Sequence, residues 1–400
     1  MLEPKIAVKD LEQWAGFILD HSLGGITADD RVMIKGERIC WPLMAVLERR
    51  VVEAGGVPDL YLVPPNNERG RVWSSAMGRA TTAEQLEQVP EWHGLRYESM
   101  TKYIEVLGAE DPSQYTGLGA DQVKAMATAD RPFSAIRLSK PWVLTLYPTP
   151  GFAVMEGMEF EEYTRFIVRA STTDPRSLKA AEEALLPHFQ QARTITIETH
   201  LPGESRDLTL TMNIEPGQVT MSYGLRNFPD GELFTSPDAR SPEGEIFVDL
   251  PVHYGGHDIQ GIYLKLEGGR ITDYRANQGE EHLRAIIETD EGSHRLGEVA
   301  LGMNPGLDKV LKHPLFVEKV GGTLHIAIGA SYDDCFVEDP STDEGKATIE
   351  HLEQTGVLNR SAQHVDIVTD FRPGGCGRRV LLDGQQLEVQ GGIWVMPRAS

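Results

Sequence analysis

Cysteine is scarce: the 400 residues hold three, Cys40, Cys335 and Cys376. An odd number with no paired spacing and no CxxC excludes a disulfide framework and a zinc knuckle, and it fits a reducing compartment. Basic charge is also short, with 38 Lys and Arg against 60 Asp and Glu and a formal net charge of −22. Such a surface repels phosphate backbones and anionic lipid, so neither nucleic acid nor a membrane is an expected partner. No apolar run approaches the roughly 18 residues of a membrane span. The first turns carry Glu3, Lys5, Lys9 and Asp10 where a secretory signal would be basic and then apolar, so a cytoplasmic location is expected.

Familiar catalytic signatures are missing as well. There is no HExxH and no GxSxG, and Gly345-Lys346-Ala347 lacks the hydroxyl residue that a phosphate loop places after its lysine. Gly117-Leu118-Gly119 is a fragment of a dinucleotide fingerprint with no strand before it. His253 and His257 stand four apart, but Gly255 and Gly256 between them oppose a helix, so both are expected in a loop or at a strand end. Asn359-Arg360-Ser361 matches a glycosylation sequon without an export signal to give it meaning.

What remains is an ordinary globular composition, 40% hydrophobic and 24% charged, long enough for two domains at about 100 to 200 residues each. Helix and strand patterns alternate through the first half. Leu11, Trp14, Ala15, Ile18 and Leu19 predict a helix over 8–23, Val32-Met33-Ile34 a strand, 44–52 a helix stopped by Gly55-Gly56, and 60–63 a strand stopped by Pro64-Pro65. Strands are further expected at 135–138 and 142–147, and helices at 159–170 and 177–189. From Thr194 onward the pattern alternates with period two, as in Leu208-Thr209-Leu210-Thr211-Met212, and strands are expected over 245–253, 259–266 and 271–274, with Gly268-Gly269 as a hairpin turn. The expected organisation is an N-terminal α/β domain, residues 1–187, with helices on a sheet, and a strand-rich α+β C-terminal domain, residues 188–400. The acidic stretch 333–353 reads as loop with a short helix.

Chemistry concentrates in the second half. His364 and Asp366, two apart in an apolar-alternating run, share one face of a strand. An imidazole beside a carboxylate suits zinc, cobalt, manganese or iron. His325 stands inside the apolar run 322–329, and Glu298 and Glu318 lie beside apolar residues, where a buried carboxylate needs a partner such as a metal. Each of these patterns alone more often describes a surface pair or a hydrogen-bonded core residue, and the segment 228–237 around Glu232 alone reads as a turn.

Taken in order, however, the segment Pro229-Asp230-Gly231-Glu232 with Phe234-Thr235-Ser236-Pro237, the block Arg295-Leu296-Gly297-Glu298-Val299-Ala300, the run His325-Ile326-Ala327-Ile328-Gly329 followed by Tyr332, and His364-Val365-Asp366 resemble the thermophilic (M29) aminopeptidases. In the first half, Trp142-Val143-Leu144-Thr145, Pro148-Thr149-Pro150 and the segment 158–162 are similar to that family too. The resemblance implies metal-dependent removal of N-terminal residues from short peptides by a homodimer. It implies two divalent ions, zinc or cobalt first and manganese or magnesium as alternatives, held by Glu232, Glu298, Glu318, His325, His364 and Asp366. Tyr332 would stabilise the transition state, and Glu298 is assigned the proton transfer to the leaving amine.

Two features depart from the family's pattern: Glu318 precedes His325 by a wider interval, and the acidic stretch after Tyr332 is lengthened. A rival reading takes His325, His364 and Asp366 alone as the facial triad of a mononuclear iron ring-cleaving dioxygenase on a related fold. The three additional glutamates weigh against it.

Overall fold

The computed structural model describes residues 3–63, 81–109, 120–254 and 257–397. Pro64-Pro65, Gly117-Leu118-Gly119 and Gly255-Gly256 lie outside the described residues. The chain divides into two compact units, Met1–Pro175 with Gly224–Asp230, and Arg176–Tyr223 with Gly231–Ser400. The boundary proposed at residues 187 and 188 lies inside helix Pro175–Gln191, whose Leu185 and Phe189 belong to the core of the second unit.

In the first unit, β1 (Arg31–Glu37), β2 (Val57–Val63), β3 (Lys102–Leu107), β4 (Trp142–Leu146) and β8 (Asn227–Phe228) form one parallel sheet in the order β2-β1-β3-β4-β8. Strands covered on both faces read as unbroken apolar runs, and Val32, Met33 and Ile34 are all fully buried. Helix Val8–Gly16 buries Leu11, Trp14 and Ala15 and passes into a π-helical turn, Phe17–Ser22, that buries Ile18 and Leu19. Helices Trp41–Glu53 and Phe160–Ser171 stand where their periodicity placed them. Residues 135–138, expected as a strand, instead close helix Ala120–Leu138. Ala125, Met126, Ala129 and Phe133 are buried along it at helical spacing, and a four-residue apolar run carries no period of its own to oppose that.

The second unit is built from two antiparallel sheets. One has eight strands: β5 (Thr194–His200), β6 (Asp207–Asn213), β10 (Glu243–Val248), β11 (Val252–Tyr254), β12 (His257–Glu267), β13 (Arg270–Gln278), β17 (Gly377–Leu382) and β18 (Gln385–Gln386). The other runs β16-β15-β14-β9-β7, from β7 (Thr220–Ser222), β9 (Glu232–Thr235), β14 (Leu296–Gly302), β15 (Thr323–Gly329) and β16 (His364–Asp370). A small hairpin, β19 (Glu388–Gln390) with β20 (Ile393–Val395), follows.

One core serves both sheets: Ile195, Ile197, Leu210 and Met212 of the first meet Val299, Leu301, Ile326 and Ile367 of the second, with Leu283, Ile286 and Ile287 of helix Glu280–Ile287. Because side chains alternate along a strand, the residues between these point to the opposite face of the five-stranded sheet.

The single strand expected over 245–253 is two, β10 and β11. The intervening Asp249 accepts hydrogen bonds from the backbone N–H groups of Asp370 and Cys376 at 3.0 and 2.8 Å. His253 and His257 sit on β11 and β12, and His253 pairs with Asp258 at 2.8 Å. The turn at Gly268-Gly269 connects β12 to β13 as expected, both glycines having positive φ. The three cysteines are free and buried. Among the described residues no helix is long and apolar enough to cross a membrane.

Candidate metal centre

Four neighbouring strands present the ligand-type residues on one face of the five-stranded sheet. Leu233 of β9, Val299 and Leu301 of β14, Leu324, Ile326 and Ile328 of β15, and Val365 and Ile367 of β16 enter the core. The intervening Glu232, Glu298, His325, His364 and Asp366 therefore face the other way. Register aligns them. Ala327 lies between Glu298 and Asp366 on the flanking strands, and Ala300 and Val368 flank His325. The methyl groups of Ala300 and Ala327 form a low floor between the larger polar side chains.

A β-bulge makes the alignment possible. Leu296 and Glu298 are two apart and would share a face on a regular strand, yet Leu296 is in the core and Glu298 opposite it. The register shifts between them, at Gly297, which moves one side chain across the sheet. A Cβ on Gly297 would lie 2.0 Å from the carbonyl oxygen of Ala330, so only glycine fits the bulge.

Two donor groups result, Glu232 with Glu298 and His325, and Glu298 with His364 and Asp366. Glu298 belongs to both. His325 Nε2 lies 3.1 Å from Glu298 Oε1 and 3.9 Å from Glu232 Oε2. His364 Nε2 lies 3.2 Å from Glu298 Oε2 and 3.4 Å from Asp366 Oδ1. His364 Nδ1 donates to the carbonyl of Ala330 at 2.8 Å, which fixes the ring and turns Nε2 toward the carboxylates, the usual support for a metal-binding imidazole.

Glu318 falls in neither group. Its Oε2 is 2.6 Å from Nζ of Lys319, which is also 2.9 Å from Glu232 Oε1. Lys319 was no candidate from the sequence, although an ionisable residue between Val317 and Val320 signals burial.

Electrostatics mark the cluster as short of positive charge. Burial lowers the pKa of His325, but the hydrogen bond to Glu298 and the charges of Asp366, Glu298 and Glu232 outweigh it and raise the value to about 9. For His364 burial is likewise outweighed, chiefly by hydrogen bonds to Asp366 and Glu298, and the value rises to about 11. Burial pushes Glu318 up to about 8; Lys319 opposes the rise, and the like charges of Asp366 and Glu232 add to it. Burial opposes ionisation of Asp366, yet His364 and His325 hold its pKa well below the usual range.

Glu232 Oε2 is a buried oxygen with no hydrogen-bond partner among the described residues. Buried anions of this kind require a cation. The donor set, imidazole with carboxylate, fits a divalent metal of the zinc or cobalt type.

Tyr332 follows β15 and packs its ring, tilted by 45°, at a 4.5 Å centroid distance from His364 and edge-on at 6.0 Å from Phe234. It is 43% exposed, so its ring also borders solvent. Partial burial and then the charges of Glu298, Asp366, Glu318 and Glu232 raise its pKa, keeping the phenol a hydrogen-bond donor at neutral pH. The segment before β16 is pinned by Asp290, which accepts from Ala362 N–H, Ser293 N–H and the Ser361 hydroxyl. Buried Asn359 donates to the carbonyls of Gly292 and Gly329, so its amide is occupied inside the fold. The acidic stretch contains helix Asp343–Gln354, and its Asp333 and Glu353 pair with Arg360.

Aminopeptidase T of Thermus thermophilus is 31% identical over 320 residues, 71% of this chain and 74% of that protein. Aminopeptidase AmpS of Bacillus subtilis is 27% identical over 322 residues, 71% and 75% of the two chains. In fold, the chain is similar to wild-type AmpT from Thermus thermophilus, with a TM-score of 0.71 and 22% identity over 97% of this chain and 99% of the other. It is also similar to 2,5-dihydroxypyridine dioxygenase from Pseudomonas putida KT2440, with a TM-score of 0.54 and 14% identity over 98% and 99%. A model of the family described as thermophilic metalloprotease (M29) matches residues 7–373. The chain, a hydrolase, belongs to the thermophilic metalloprotease (M29) family.

Proposed function

We propose that this protein is a metal-dependent aminopeptidase that removes N-terminal residues from short peptides. The observation that carries the reading is the convergence of Glu232, Glu298, His325, His364 and Asp366 into two donor groups that share Glu298. Glu232, Glu298 and His325 would hold one divalent ion, zinc or cobalt, and Glu298, His364 and Asp366 a second, with Glu318 as a further carboxylate nearby. When bound, such ions polarise a scissile carbonyl and lower the pKa of water toward neutrality.

The chain's own residues do the rest. His364, held by the Ala330 carbonyl, keeps its Nε2 directed at the centre. The Tyr332 phenol donates a hydrogen bond to the oxyanion that forms at the substrate carbonyl. Glu298, within 3.1 and 3.2 Å of both imidazoles, takes the proton released as water attacks the substrate carbonyl and passes it to the leaving amine as the C–N bond breaks. A homodimer acting in a reducing, cytoplasmic compartment completes the proposal, in keeping with three free cysteines.

The rival reading, an iron dioxygenase, rests on likeness of fold. His325, His364 and Asp366 do not make up one donor group among the described residues; His325 groups with Glu232 and Glu298. The deciding experiment is elemental analysis of protein purified without chelator, paired with an aminoacyl-arylamide assay after cobalt or zinc is restored. Zinc or cobalt with arylamide turnover supports the proposal. One iron per chain without turnover overturns it.

A further inference from the structure

Lys319 has the geometry of a competitor for the metal centre. It is 2% exposed, and its Nζ lies 2.9 Å from Glu232 Oε1 and 2.6 Å from Glu318 Oε2. Glu232 thus presents one oxygen to an ammonium and keeps the other, Oε2, without a hydrogen-bond partner among the described residues, 3.9 Å from His325 Nε2. A carboxylate shared in this way attracts a second cation less strongly, because the ammonium repels the incoming ion in a region that water screens poorly.

We infer that Lys319 is a resident cation that competes for Glu232 and makes the Glu232, Glu298 and His325 position the weaker of the two metal positions. The inference rests on the metal-centre reading proposed above. Charge decides the order of filling. With all four carboxylates ionised, as metal ligation requires, Glu232, Glu298, Glu318 and Asp366 against one ammonium leave a net charge of minus three among neutral imidazoles. A first divalent ion brings the cluster to minus one, and a second carries it past neutrality. Without the ammonium, two ions bring four carboxylates to neutrality and no further. The Glu298, His364 and Asp366 group includes neither carboxylate that Lys319 contacts, so it takes the first ion.

The test is to titrate metal-free wild type, Lys319→Met and Lys319→Gln with cobalt(II), following uptake by calorimetry and by the visible absorption of the bound ion. Wild type should take one ion tightly and a second weakly or not at all. Both variants should bind the second ion more tightly, by more than about tenfold. Glutamine can still hydrogen-bond both carboxylates, so it serves if the methionine variant does not fold, and circular dichroism establishes which variants are folded. A lysine needed only for structure would give weaker, not stronger, uptake when removed. Unchanged or weaker second-ion binding in the folded variants overturns the role of Lys319 and leaves the metal centre standing. No stoichiometric uptake by wild type or either variant overturns the metal-centre reading and this inference together.

Discussion

At the residue scale the centre depends on small side chains as much as on ligands. Ala300 and Ala327 occupy the face that carries Glu298, His325 and Asp366, and a larger residue at either position would fill the space a substrate or ion needs. Tyr332 illustrates a different dependence: its ring packs against His364 while its phenol stays protonated among carboxylates. Under the proposed mechanism, Tyr332→Phe should leave metal content unchanged and lower kcat by about 100- to 1000-fold, the usual consequence of losing one oxyanion donor. Parallel metal analysis and arylamide kinetics would check this; a comparable rise in KM with unchanged kcat would assign Tyr332 to ground-state binding instead. The HxD pair was legible in the sequence because a strand places residues two apart on one face. For Lys319 the flanking Val317 and Val320 signalled burial alone, because nothing in its local pattern says which carboxylates surround it.

At the element scale, the bulge in β14 determines which side of the sheet receives Glu298. Gly297→Ala puts a Cβ 2.0 Å from the Ala330 carbonyl oxygen, and relief of that clash must move either β14 or the residue that holds His364. The variant should lose about 1 to 3 kcal/mol of stability, the range for overpacking a buried site, and should bind metal more weakly. Chemical denaturation and metal titration measure both effects.

The Asp290 clamp is the second such element. The Ala362 N–H, followed by Ser293 and Ser361, lowers its pKa from 3.8 to about 2. A carboxylate whose folded-state pKa is depressed contributes stability that is fully present above 3.8 and is lost as pH falls through about 2. Asp290→Asn should therefore be less stable than wild type near neutral pH, and the difference should shrink between about pH 4 and 2. Denaturation midpoints across that window give the answer, and a constant difference would show that the hydrogen bonds matter without the charge.

At the scale of the whole molecule, the net charge of −22 favours the approach of cationic peptide N-termini. Turnover of lysyl over leucyl arylamides should be preferred at low salt, and the preference should decline between about 10 mM and 0.5 M salt as the Debye length shortens from about 30 Å to a few ångströms. Equal kcat/KM values at low salt would show that this charge does not reach the site. What the sequence determined by itself was the local material: a half with alternating helices and strands, a half with period-two strands, and polar residues placed singly inside apolar runs. Those features follow from side-chain geometry over a few residues, and the misread 135–138 marks their limit, since four residues cannot distinguish a strand from a helix end. The tertiary structure alone decided which carboxylate meets which imidazole. Glu232, Glu298, His325 and His364 come from four strands separated by up to 132 positions in the chain, and their meeting depends on strand order, a one-residue bulge and a buried lysine, properties of the packed sheet that no local pattern contains.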